Sequence, residues 1–446
     1  MAKRNVIKSA KSNLIIGIIA ILVLGWVVSI VGINRKSDLS LQNKLLAEAE
    51  LLLQDEIYVR AAQKYVEALK YKTENNSKIE EKLLQIYKDG EMVEEYYAMI
   101  EERINSKKAK EEEYLDIANS MVQVGGISQA ISYLVAGEEA YPDNQQMVDL
   151  LESIQYEYSE KTLEYNTMQL YEKSSYSPAF DGCKWGYISS SGDHVLDFIY
   201  DEAFAFSDGY AVVKENGTYL LIDQKAYRNA VDKNELDQVA SYCKNWIVGV
   251  KDGKYGIYSK FFEPILEAKY DNIYIGSYGS FFVQQDEKWA IFDENFEQVT
   301  DFIYYDVVPD QNKFVFSDDG FAMVADEKGY YLIREDGTAC FEERFSNAKG
   351  YVHGRIAVSD ENGAWGFING SGEVVIDFQY EDAYSFTGKL AAVKYAGKWG
   401  FINKYNTMVI ENDYSSVTPF MGDSALVWDG LGMLHMLTLR YYELFN

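Results

Sequence analysis

Lys184-Trp185-Gly186-Tyr187-Ile188, Ala364-Trp365-Gly366-Phe367-Ile368 and Lys398-Trp399-Gly400-Phe401-Ile402 are three copies of one short pattern. Reading outward from them, Trp185, Tyr219, Tyr255, Trp289, Tyr330, Trp365 and Trp399 recur at spacings of 34, 36, 34, 41, 35 and 34 residues. Each aromatic follows an alternating run such as Tyr210-Ala211-Val212-Val213 or Leu390-Ala391-Ala392-Val393. The two are separated by a tight-turn dipeptide, Asn216-Gly217 or Asp252-Gly253 for example. Such dipeptides accept positive φ and join strands into two-residue hairpins. A third apolar run, as in Val374-Val375-Ile376, closes the unit. Each unit is therefore a small antiparallel piece of three or four strands, which must stack on neighbours to bury its faces.

These seven copies resemble the bacterial WG-repeat family, over about residues 176–446. Tyr219-Leu220, Trp289-Ala290 and Tyr330-Tyr331 depart from the pattern by lacking the glycine. The resemblance implies an interaction module without assigned chemistry. Seven units predict a seven-bladed propeller, with Ser424-Ala425-Leu426-Val427 completing a first unit that has no strand of its own before Trp185. The alternative is an open β-solenoid, since Gly430-Leu431-Gly432-Met433-Leu434 reads as an eighth, broken copy.

A second position recurs 15 to 17 residues after each aromatic: Tyr200, Leu236, Tyr270, Tyr305, Phe345, Tyr380 and Tyr414. Asp201, Asp237, Asp271, Asp306 and Glu381 follow five of these, and Ser346 and Ser415 the other two. Five carboxylates in a ring suggest cation or sugar binding. Short polar side chains that bond their own backbone set turns equally well. Serine at two places suits turn-setting and spoils a charge ring, so the acidic ring is read first as structural. The repeat aromatics are likewise read as packing between units.

Residues 38–172 are different, rich in Glu, Lys, Leu, Ala and Tyr with apolar residues at three- and four-residue spacing. Leu45, Ala49, Leu52, Ala61, Tyr65 and Ala68 form one set, and Tyr114, Ile117, Ala118, Met121, Ala130, Leu134, Gly137 and Pro142 another. Both resemble the 34-residue tetratricopeptide pattern of paired antiparallel helices. Ile79 to Ile104 fits the period with poor signature residues. Three pairs are expected, with 145–171 as a closing helix. The array either binds a partner on a concave surface or spaces the β domain from its anchor.

No ionisable side chain occurs from Ser12 to Asn34, and residues 14–33 are long enough to span a bilayer as a helix. A cleaved signal peptide would be shorter and end on small residues, whereas Ile30, Val31 and Ile33 occupy those places. Lys3, Arg4, Lys8 and Lys11 precede the run, which puts the tail 1–13 in the cytoplasm and the rest outside the cell. Residues 37–446 then carry 36 basic and 70 acidic groups, a net −34. Such a body repels nucleic acid and anionic lipid alike.

Catalytic signals are scarce. His194, His353 and His435 have no metal-ligand spacing, Cys183, Cys243 and Cys340 sit at unrelated repeat positions, and no phosphate loop or nucleophile elbow is present. No metal or cofactor is expected. The sequence thus describes a multidomain chain of one N-terminal transmembrane helix, a tetratricopeptide-like α-helical array (38–172) and an all-β WG-repeat domain (176–446). Its expected function is that of a non-enzymatic, membrane-anchored scaffold for a protein partner or cell-envelope polymer. The alternative is a glycan-binding lectin or glycan-active enzyme using propeller-face carboxylates and aromatics.

Overall fold

A computed structural model describes residues 37–170, 176–229, 236–276, 279–310, 313–352 and 354–444. The expected cytoplasmic tail and membrane span, residues 1–13 and 14–33, lie outside the described residues. Among the described residues no helix is long and apolar enough to cross a membrane. The chain divides into two compact units between Leu151 and Glu152.

Seven helices make up the first unit among the described residues: α1 (37–54), α2 (Tyr58–Leu69), α3 (Asn76–Asp89), α4 (Val93–Asn105), α5 (Glu111–Gln123), α6 (Ile127–Ala140) and α7 (Gln145–Ile154). Their apolar periodicity becomes a continuous core, with Ala61, Tyr65, Ala68, Leu83, Ile100, Ile117, Ala130 and Leu134 all buried. Gly137 shows why small residues recur: a Cβ there would meet Met147 Sδ at 2.6 Å and Tyr114 Cβ at 3.2 Å. The middle pair departs from this rule. Where α2 has Ala68 and α6 has Gly137, α4 carries Arg103, buried and bonded through Nε to Glu113 Oε2 of α5 at 2.8 Å. The same carboxylate oxygen accepts the Lys110 N–H at 3.0 Å and caps α5. Buried Gln42 donates to the Ala68 and Tyr71 carbonyls, tying α1 to the C-terminal end of α2.

The closing helix expected over 145–171 is shorter. Helix α7 stops at Ile154, and the chain is β structure from Tyr158.

The second unit is a β-propeller of eight blades, which corrects the expectation of seven. Blades 1 to 7 are built around Trp185–Ser189, Thr218–Asp223, Lys254–Ser259, Lys288–Phe292, Gly329–Arg334, Trp365–Ile368 and Lys398–Asn403 as their third strands. Blade 7 is a complete example, with Asp382–Ala383, Leu390–Tyr395, Lys398–Asn403 and Met408–Tyr414 antiparallel in that order. Blade 1 has its own second strand after all: Tyr176–Phe180 pairs with Trp185–Ser189, Phe180 facing Trp185. Ser424–Trp428 therefore belongs elsewhere, as the second strand of blade 8 between Ser416–Val417 and Leu434–Leu439.

Gly430 to Met433 form the turn within that eighth blade, with Gly432 at φ +81°. Its fourth strand is Tyr158–Thr162, from the other end of the unit, in register Tyr158↔Leu439 to Thr162↔His435. This pairing closes the ring and removes the open solenoid. The eighth copy reads as broken in the sequence because its third strand is Leu434-His435-Met436, with neither repeat aromatic nor glycine, and because its last strand is supplied from afar.

The repeat glycine has a precise packing reason. In blades 3, 6 and 7, a Cβ on Gly256, Gly366 or Gly400 would stand 2.6–2.7 Å from the carbonyl oxygen of Leu266, Ile376 or Ile410 on the fourth strand. The ladder shifts register at each of these points, so the fourth strand bulges onto the glycine. Blades 2, 4 and 5 carry Leu220, Ala290 and Tyr331 instead. In blades 4 and 5 the fourth strand shrinks to isolated bridges, and in blade 2 Arg228–Asn229 is the part of it among the described residues.

Candidate ligand-binding surfaces of the propeller

The first strands define the inner edge of the ring. Residues of blades 1, 2, 3 and 8 (Met168, Ala203, Val239 and Thr418 among them) share one cavity of about 350 Å³, with Lys313 and Phe314 of blade 5 also in its wall. The third and fourth strands hold the blades to one another through the repeat pattern.

Among the repeat aromatics, Tyr219, Trp289, Trp365 and Trp399 are buried and Trp185, Tyr255 and Tyr330 half-buried. Trp289 stacks on Tyr274 at 5.0 Å, and Trp399 lies against Tyr384 at 5.4 Å. Blade-to-blade packing also runs through a residue that the repeat pattern did not single out, two places after the tryptophan. Tyr187, Phe367 and Phe401 are wholly buried and meet Phe206, Phe386 and Phe420 of the following blade edge-to-face at 4.9, 5.0 and 4.9 Å. Each pair is 19 residues apart, and that constant spacing is the signal that could have revealed it.

The five carboxylates of the candidate acidic ring are engaged separately. Asp201, Asp237, Asp271 and Glu381 accept the backbone N–H groups of Gly217, Asp252, Asp286 and Gly397 at 3.0, 2.7, 2.9 and 2.9 Å. Each acceptor thus ties the end of one blade to the hairpin of the next. Asp306 occupies a different position. Tyr304, not Tyr305, faces Trp289, so Tyr305 takes the place filled elsewhere by the carboxylates, and Asp306 lies one residue beyond. There it accepts the Tyr330 hydroxyl at 2.8 Å and its neighbouring Val307 N–H at 2.9 Å.

Lysines complete the arrangement. Lys184 bonds Asp201 at 2.5 Å and Lys254 bonds Asp271 at 2.6 Å. At blade 4, where tyrosine replaces the carboxylate, the Lys288 ammonium lies over the Tyr305 ring instead. The Lys254 ammonium first, and the Asp286 N–H second, hold the Asp271 carboxyl below its usual range. A depressed folded-state pKa contributes stability above the unfolded value, near ~3.9, and loses it as pH falls through the folded value. The Asp271→Asn variant should therefore be less stable than the parent at pH 7, with the difference vanishing on acidification below about pH 4. Urea midpoints measured across that range check this; a gap independent of pH would remove the ionic contribution.

Among the described residues no group of three or more His, Cys, Asp or Glu is placed to hold a metal ion. The three cysteines are free thiols, and burial pushes the Cys243 and Cys340 thiols up. Acidity concentrates on one sector. Residues 286–327, in blades 4 and 5, hold twelve carboxylates against Lys288 and Lys313. Glu294, Glu297 and Asp301 are exposed there, beside exposed Val299 and Ile303.

No curated protein matches the chain. Among solved structures it is similar to a eukaryotic initiation factor (12% identity, 59% of this chain and 81% of that chain, TM-score 0.39). It is also similar to the extracellular domain of a hybrid two-component system from B. thetaiotaomicron (11% identity, 60% of this chain, TM-score 0.28), of which it spans 44%. Residues 185–219, 255–289 and 365–399 match the model of the WG containing repeat, each running from one repeat aromatic to the next. The β unit is a propeller that carries WG repeats.

Proposed function

We propose that this chain is a non-enzymatic interaction scaffold whose propeller captures a protein partner with a basic surface. The observation that supports it is the sector of blades 4 and 5, residues 272–345, with sixteen carboxylates against five basic groups. Residues 152–446 as a whole carry 47 acidic and 24 basic groups. A field of one sign steers a complementary partner and makes association sensitive to salt. The repeat carboxylates are occupied with hairpins, which suits a rigid platform.

The helix pairs with Ala68 and Gly137 at their contacts support reading the first unit as tetratricopeptide-like, a second surface for the same assembly. The apolar run 14–33 and the basic residues before it support membrane attachment with both units outside the cell. Protease added to protoplasts should then degrade residues 37–446; a surviving fragment would place them in the cytoplasm.

Cross-linked capture from membranes tests the partner. The parent chain should recover a basic protein, less of it as salt rises, and the Glu297→Lys/Asp301→Lys double variant should recover at least about tenfold less. Equal recovery by parent and variant, or recovery of envelope polymer alone, would count against the proposal.

A further inference from the structure

The axis of the ring differs from its acidic flank. A volume of about 350 Å³ falls in the range of small-molecule sites, which combine apolar and aromatic walls with a few convergent polar groups. Trp185, Phe204 and Tyr242 supply aromatic wall from blades 1, 2 and 3. Gln238 and Ser241 supply an amide and a hydroxyl whose side chains have no hydrogen-bond partner among the described residues. Together these offer both donors and acceptors.

The charge of the wall is nearly balanced internally. Its carboxylate, Glu202, already accepts Lys214 Nζ at 3.1 Å and the Tyr219 hydroxyl at 2.8 Å. Lys313 adds one exposed ammonium donor at the wall. A cationic ligand gains nothing here. A peptide adding as a strand needs a regular edge to pair with; the first strands of blades 1 and 2 are two residues long, and that of blade 3, Gln238–Cys243, is broken by a bulge between Val239 and Ser241. A hydroxyl-rich ring satisfies both kinds of wall at once, laying C–H faces on the aromatic rings and hydroxyls on the amide, hydroxyl and ammonium groups.

We infer that the axial cavity is a carbohydrate site, sized for a mono- or disaccharide unit and distinct from the exposed Glu294, Glu297 and Asp301, none of which lines it. The test is calorimetric titration of the full chain, held in a non-glycosidic detergent, with cellobiose, chitobiose and maltose, and with a neutral blocked tetrapeptide. At least one disaccharide should bind saturably. Gln238→Ala should weaken it by about tenfold, the effect of one lost polar partner. Ser241→Trp, which fills the cavity, should abolish it with the melting temperature unchanged. If Ser241→Trp does not fold, Gln238→Lys serves as the second variant and is expected to give the same loss. No saturable disaccharide binding, binding that survives these variants, or binding of the tetrapeptide alone would overturn the inference. The Glu297→Lys/Asp301→Lys variant should bind the sugar as the parent does, so failure of the protein-partner reading is separately visible.

Discussion

Replacing Glu113 by alanine is expected to unfold much of the helical unit. Arg103 and Glu113 are both buried, with side chains 9% and 6% exposed, and the carboxylate also caps α5 through the Lys110 N–H. Removing it strands a guanidinium in the core, where an uncompensated charge costs about 3–5 kcal/mol. For a unit of this size the melting temperature should fall by roughly 10–20 °C. The pair as such need not be stabilising. Arg103→Met with Glu113→Leu fills similar volume without charge and should recover most of the loss. Differential scanning calorimetry of the parent, the single variant and the double variant separates these contributions. A single variant within about 1 kcal/mol of the parent would show that the guanidinium finds water instead.

The second large effect is at a repeat glycine. Gly400→Val pushes a branched side chain into the Ile410 carbonyl oxygen and the Asn412 nitrogen, both 2.7 Å from the position of a Cβ. Neither is a flexible side-chain end, so the fourth strand of blade 7 must move away as a whole. About 2–3 kcal/mol is expected, the upper part of the range for overpacking. Hydrogen exchange should show protection lost over Met408–Tyr414 in particular. Ala290 occupies the corresponding place in blade 4, where the fourth segment already lacks a regular ladder. Ala290→Gly, which removes one buried methyl and loosens the backbone, should cost only about 1 kcal/mol and leave protection of the following segment unchanged. Equal effects at the two positions would sever the link between the glycine and the bulge.

Much of the β architecture was readable because the unit is local. The aromatic, the glycine and the turn dipeptides lie within one hairpin, and each has a steric reason visible in the residues themselves. What escaped was non-local. The blade count failed at Tyr158–Thr162, which looks like the tail of a helical segment until Leu434–Leu439 is beside it. The displaced carboxylate at Asp306 escaped for a related reason: two tyrosines in succession, Tyr304 and Tyr305, leave the register open, and only the pairing with Trp289 decides it. In the helical unit the poor signature between Ile79 and Ile104 had a cause that composition hides. The small-residue position is taken by Arg103, made tolerable by a carboxylate ten residues later in another helix.

The candidate ligand surfaces were legible to a lesser degree. The acidic excess was plain from composition, but its concentration in blades 4 and 5 matters only once those residues share a sector. Gln238 and Ser241 belong to no motif, and the first strands that bring them to the axis are among the least conspicuous segments of the sequence.

Ring closure has a mechanical meaning. The strand Tyr158–Thr162 begins four residues after α7 ends, so a pull on the N-terminal side of the chain reaches the closing ladder once the contacts of Glu152 with Asn403 and of Gln155 with Lys389 give way. Its ladder is flanked by Arg440 N–H to the Glu157 carbonyl and Leu163 N–H to the Leu434 carbonyl, both 2.9 Å, with Arg440 and Glu157 also ion-paired at 3.3 Å. Drawn lengthwise, the strand shares the load among all five paired residues, so the bonds must slide together. Drawn sideways, it peels one bond at a time. The direction of tension would decide whether the ring bears force as a clasp or opens like a zip.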